Sequence, residues 1–190
     1  PTLGLQELLG HYQVRVARLD APIDPELRAI LLVEPRRLNE RAVEHLSAYL
    51  AQGGAVGVFP GGTVSTAVTP FAKPMDPGWR SFTARMVAKS GATVVPVYFD
   101  GHTSRLFQLA SHLHTTLRMG LLIQEFRKRV DTPVRVVIGQ PIPQAELQAR
   151  AQDCRAMMDF LRKATYELSP NPLASFDYGF EFEEHWKIKA

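Results

Sequence analysis

The sequence predicts an α/β fold: a layered, mostly parallel sheet flanked by helices. Short apolar runs at residues 29–33, 55–59 and 93–99 read as strands. Stretches of helical periodicity separate them, and strands alternating with helices build layered parallel sheets. The chain has 190 residues, 45% hydrophobic and 22% charged, which suits one globular domain and excludes a wholly disordered or collagen-like chain. Cys154 is the only cysteine, so an internal disulfide is excluded and a reducing compartment is expected.

The elements follow in order. Residues 3–12 have helical spacing and stop near Gly10, and residues 13–17 alternate apolar and polar like a half-buried strand. Asp20-Ala21-Pro22-Ile23-Asp24-Pro25 is a turn. Residues 29–33 read as a buried strand. Asn39 is a good N-cap, the spacing of Ala42, Val43, Leu46, Tyr49 and Leu50 predicts a helix, and Gly53–Gly54 stop it. A second buried strand covers residues 55–59, and a Gly-, Thr- and Pro-rich loop fills residues 60–77. A short helix over residues 82–89 is closed by Gly91, and a strand over 93–99 follows. Residues 104–119 and 121–128 are helical, residues 134–138 a strand, 139–143 a turn and 153–167 the last helix. Residues 1–170 thus form a single domain, and residues 171–190 an aromatic extension expected to pack on it through Phe176, Tyr178, Phe180, Phe182 and Trp186.

The stretch richest in chemistry is Val58-Phe59-Pro60-Gly61-Gly62-Thr63-Val64-Ser65. A strand runs into two glycines, which let backbone N–H groups approach a ligand, and then into hydroxyls suited to a phosphate or carbonyl oxygen. An ordinary strand-exit turn has the same composition. No Gly-Lys-Ser/Thr follows, so a P-loop is excluded, and no Gly-x-Ser-x-Gly elbow is present.

Phe59-Pro60-Gly61-Gly62-Thr63-Val64-Ser65 resembles the F-P-E-G-T-x-S block of the glycerophospholipid acyltransferase superfamily, of the lysophosphatidic-acid acyltransferase type. Val94-Val95-Pro96-Val97-Tyr98-Phe99 is similar to that family's strand bearing V-P-V. Ile30-Leu31-Leu32-Val33-Glu34-Pro35-Arg36 resembles its block in which an arginine follows a short strand. Asp100-Gly101-His102-Thr103-Ser104-Arg105-Leu106-Phe107-Gln108 and Leu121-Leu122-Ile123-Gln124-Glu125-Phe126-Arg127 look like a bacterial branch often labelled hemolysin-like acyltransferases. The likeness spans roughly residues 26–143.

The resemblance implies O-acyl transfer in phospholipid biosynthesis, from an acyl thioester (acyl-CoA or acyl carrier protein) to a hydroxyl of a lysolipid, with no metal and no redox cofactor. Phe59, Pro60, Gly61, Gly62, Thr63, Ser65 and Pro96 would line the acceptor side, and Arg36 or Arg37 would pair with a phosphate through bidentate contacts. The family's general base, a His with an Asp at H-x4-D spacing, is expected between Pro25 and Glu26; no such pair stands there, and no catalytic residue is assigned in the chain. Gly61 stands where the family usually carries Glu. A non-catalytic lipid-binding relative is the alternative.

The other candidates have bland readings beside them. His102 follows the Pro96 strand and could sit near the site. His112 and His114 point different ways on a helix, and no His pair has metal-binding spacing. Cys154 reads as a small buried residue. Leu117, Leu121, Leu122, Ile123 and Phe126 beside Arg127-Lys128-Arg129 read either as a solvated helix end or as a basic amphipathic element for an anionic membrane face. The net charge of +3 fits an anionic partner, but no nucleic-acid motif or basic stripe with stacking aromatics is present. The longest uncharged stretch, residues 46–72, is broken by glycines and prolines and cannot span a bilayer. The expected location is the cytoplasm, at the inner face of the cell membrane.

Overall fold

The computed structural model describes residues 18–32 and 38–181. The elements expected over residues 3–12 and 13–17, both candidate arginines Arg36 and Arg37, and the aromatics Phe182 and Trp186 lie outside the described residues.

The first unit is a strand, a helix and a parallel strand. Ala29–Leu32 forms β1. Asn39 accepts from the Ala42 N–H and starts α1, Glu40–Ala51, whose residues Ala42, Val43, Leu46 and Tyr49 turn inward at helical spacing. One crossover helix carries the chain to the far end of β1, so β2, Ala55–Val58, pairs with it in parallel, Ala29 opposite Ala55 and Leu32 opposite Val58. Ile30, Leu32, Val43, Leu46 and Tyr49 pack with Phe82 and Met86 of α2, Phe82–Ser90, into one core. The two strands were expected to be buried. Instead only alternate residues of β1 are covered, Ile30 at 7% exposure against 64% for Leu31, and β2 alternates exposed and half-buried residues. Among the described residues the core lies on one face of this pair.

A second pair stands apart from the first. Val97–Asp100 forms β3, and Arg135–Ile138 forms β4, antiparallel to it, with Val97 opposite Ile138 and Asp100 opposite Arg135. Between them α3, Arg105–Leu113, and α4, Thr115–Arg129, form a helical hairpin. A hairpin returns the chain to the end from which it left, so the next strand runs backward. The described strands therefore make one parallel and one antiparallel pair in two separate sheets, a mixed α/β arrangement. The helices break at His114, whose side chain accepts the Thr116 N–H, and Gly120 lies inside α4 rather than at the expected break.

The chain closes with α5, Gln144–Gln148, which the sequence did not suggest, and α6, Cys154–Tyr166, capped by Asp153. Met157, Met158 and Leu161 of α6 meet Ala84, Val87, Ile142 and Leu147 in a second core, with half-buried Cys154 at its edge. Beyond α6 the tail runs back over the 60–77 loop. The Gly179 N–H donates to the Asp76 carbonyl and the Phe180 N–H to the Thr66 carbonyl. Only glycine passes there, because a Cβ at 179 would collide with the Met75 carbonyl. No helix among the described residues is long and apolar enough to cross a membrane.

Candidate functional site

The loop after β2 is held from three directions. The Phe59 N–H continues the strand ladder to the Leu32 carbonyl, and the Gly62 N–H closes a turn onto the Phe59 carbonyl at 3.2 Å. Gly62 sits at φ 64°, a left-handed backbone that glycine adopts without a Cβ penalty. The Pro60 carbonyl accepts from the Arg80 N–H, which ties the loop to the start of α2. Gly61 and Gly62 are both buried.

Asp76 organises the floor beneath Gly61. Its carboxylate accepts from the Ser65 hydroxyl and, at 3.0 Å, from the Trp79 indole N–H. A Cβ at position 61 would stand 3.5 Å from the Asp76 carboxyl carbon, so a larger side chain there would compete with that carboxylate for space. The Asp76 N–H donates to the Tyr166 hydroxyl at 2.9 Å, and its carbonyl accepts from Arg162 at 3.0 Å. Burial, then the Asp76 charge beside it, push the Tyr166 phenol well above its ordinary 10.0, so it stays neutral. Arg162, 3% exposed, also donates to the carbonyls of Phe176 and Asp177 and pins the tail to the same point.

From the other side, polar side chains of the helical hairpin reach the loop. Gln108 accepts from the Ala67 N–H and donates to Thr103 at 2.6 Å and to the Ser65 carbonyl at 3.4 Å. Arg118 donates to Thr66 and Ser111 hydroxyls at 3.0 and 2.6 Å and lies over the Phe107 ring. Buried polar groups with satisfied partners rigidify what they hold.

The sequence-predicted residues distribute as follows. Phe59, Pro60, Gly61, Gly62, Thr63 and Ser65 form this loop; the Phe59 ring meets Phe99 of β3 at 5.7 Å. Pro96 is buried just before β3, which starts at Val97 and not at the expected residue 93, and its carbonyl accepts from the Gly139 N–H at 2.9 Å. Ser65 spends its proton on Asp76, while the half-buried Thr63 hydroxyl has no partner among the described residues. At the place expected for the His–Asp pair, the Asp24 side chain and carbonyl accept from the N–H groups of Glu26 and Leu27, a tight turn over Pro25. His102 is exposed, and its carbonyl accepts from Arg129. His112 faces the Ala67 carbonyl and stacks on Phe180. His45 faces the Leu19 carbonyl. No group of three or more His, Cys, Asp or Glu among the described residues could hold a metal.

Sequence reasoning missed Asp76, Trp79, Gln108, Arg118, Arg162 and Tyr166. They meet the loop across separations of 11 residues for Ser65–Asp76, 43 for Ser65–Gln108 and 90 for Asp76–Tyr166, which leave no local pattern. Behind Trp79 lies an open cleft of about 390 Å³, lined among others by Arg80, Arg155, Asp159, Tyr178 and Glu181. Arg80 pairs with Glu181 at 2.9 Å and Asp159 accepts from Tyr178, so its charges balance internally and select no one anion. No family model, no curated protein and no solved structure matches the chain.

Proposed function

We propose that this protein transfers a fatty acyl group from an acyl thioester, acyl-CoA or acyl carrier protein, to a hydroxyl of a lysolipid, working at the cytoplasmic face of an anionic membrane. One observation carries the reading. The three segments that resemble acyltransferase blocks converge: the Leu32 carbonyl accepts from the Phe59 N–H, and the Phe59 ring meets that of Phe99 in β3, the strand that Val94-Val95-Pro96 leads into. With it goes a layered, mostly parallel sheet, to which β1 and β2 would contribute.

In this reaction the acceptor oxygen attacks the thioester carbonyl, a C–O bond forms, the C–S bond breaks, and the acceptor proton passes through a base to the departing thiolate. The loop residues Phe59, Pro60, Gly61, Gly62, Thr63 and Ser65, with Pro96, would bound the acceptor, and the Thr63 hydroxyl is the one donor of the pair not spent on Asp76. The Asp76 carboxylate repels an acceptor phosphate from the Gly61 floor, so Arg36 or Arg37 would have to hold that phosphate. The resemblance places the His–Asp base at the Pro25–Glu26 junction, where this chain carries no His, so none of its residues is assigned that role.

A second reading, a lipid-binding relative that performs no transfer, is favoured by the tight Asp24–Leu27 turn at that place. Thiol release from an acyl-CoA in the presence of lysophosphatidate separates the two. Release that requires the lysolipid supports transfer. Saturable lysolipid binding without release supports the second reading, and neither binding nor release removes both.

A further inference from the structure

Helix α4 is built inside out. Its buried side chains are charged, Arg118 at 5% and Glu125 at 6% exposure, whereas Met119, Ile123 and Phe126 are 56%, 66% and 66% exposed. Met119, Leu122, Ile123 and Phe126 recur at the i, i+3, i+4, i+7 spacing that places them on one helix face. On α3, Leu106, Leu109 and Leu113 do the same and are 56%, 43% and 60% exposed. Burying ionic groups while exposing large apolar ones costs stability in water, so an apolar environment outside the protein is the natural complement.

The charges identify that environment. Within α3 and α4 the one acid is Glu125, and it is buried: its carboxylate accepts from the Ser104 N–H at the start of α3, with Lys128 3.9 Å away. All exposed charges of the hairpin are cationic. Arg105 begins α3, and Arg127, Lys128 and Arg129 end α4; the contacts of Ser104 with Glu125 and of His102 with Arg129 bring those ends together. Arg105 and Arg127 have no hydrogen bond or ion pair among the described residues. Apolar stripes with cations gathered at one end complement a bilayer whose headgroups are anionic. A second copy docking by the same face would bring no acid to these cations, since neither hairpin exposes one.

We infer that the α3–α4 hairpin is a docking surface for an anionic lipid bilayer, apolar stripes in the acyl boundary and Arg105, Arg127, Lys128 and Arg129 at the headgroup phosphates. This rests on the membrane location in the proposed function and names the face that docks; the loop from Phe59 to Ser65 takes no part, so vesicle binding and acyl transfer can fail separately.

The test is sedimentation with vesicles, without thioester or lysolipid. The parent chain should partition onto vesicles of equal parts phosphatidylcholine and phosphatidylglycerol, far less onto phosphatidylcholine alone, and be released by salt. Ile123→Ser with Phe126→Ser, both at exposed positions, should lower partitioning at least about tenfold, and Arg127→Gln about fivefold. Val136→Ser with Ile138→Ser, exposed apolar residues of β4, should change nothing and controls for general stickiness. Thermal melts establish that each variant is folded. Equal partitioning of parent and the folded Ile123/Phe126 variant overturns the inference. So does a parent dimer in sedimentation equilibrium that this variant dissolves, which would assign the face to a second copy.

Discussion

Asp76 is the residue on which most of the loop's order rests, through Ser65 and Trp79 on its carboxylate and Tyr166 and Arg162 on its backbone. Asp76→Ala leaves a hydroxyl and an indole N–H without their acceptor and should cost about 2–4 kcal/mol, read by chemical denaturation. Asp76→Asn keeps one acceptor oxygen and should cost less than half as much; equal losses would mean that the carboxylate oxygens are not what the loop uses. Glu125 gives a pH signature. Burial would raise its pKa, but the Ser104 hydroxyl and N–H, with Lys128 and Arg129, hold it below its ordinary 4.5. A depressed carboxylate contributes stability that is complete above the unfolded value and is lost as pH falls through the folded one. The melting-temperature difference between the parent and Glu125→Gln should therefore be constant above pH 4.5 and shrink below it. A difference unchanged down to strongly acidic pH would assign Glu125 no charged role. At this scale the glycine-rich loop was legible, because Gly61–Gly62 is a local signal; its anchors were not, because they arrive from α3, α4 and α6.

Elements were legible where their signals are local. Asn39 and Asp153 cap α1 and α6, and Gly91 ends α2 where its spacing indicates. Removing one such cap, Asn39→Ala, should cost about 1 kcal/mol, checked by the shift of the denaturation midpoint, and Asn39→Asp should largely preserve stability. The break between α3 and α4 was misplaced at Gly120 because a lone glycine is a strong breaker on paper, whereas a histidine capping Thr116 is a weak pattern. Burial of strands was overestimated for a different reason. A run such as Ala29-Ile30-Leu31-Leu32 looks the same whether one face or both are covered, and only the position of α1 decides it. In α4, periodicity showed an apolar stripe without showing that it faces outward.

Across the whole molecule, connection type explains the sheets. A single helix between β1 and β2 yields a parallel pair, and a two-helix hairpin between β3 and β4 yields an antiparallel one. Alternation of strands and helices pointed to the α/β class, but it does not show that the two helices between β3 and β4 pack as a hairpin and so reverse the next strand. The same topology brings β2, β3, α3, α4, α6 and the tail around one loop, Phe59 to Ser65, which we propose receives a lysolipid. The most direct measurement is an amide NMR titration with a short-chain lysophosphatidate kept below its micelle concentration. Saturable shifts are expected at Phe59, Gly61, Gly62, Thr63 and Ser65, larger than elsewhere in the described core. Saturable shifts confined to other segments, with these amides unmoved, would contradict the proposal.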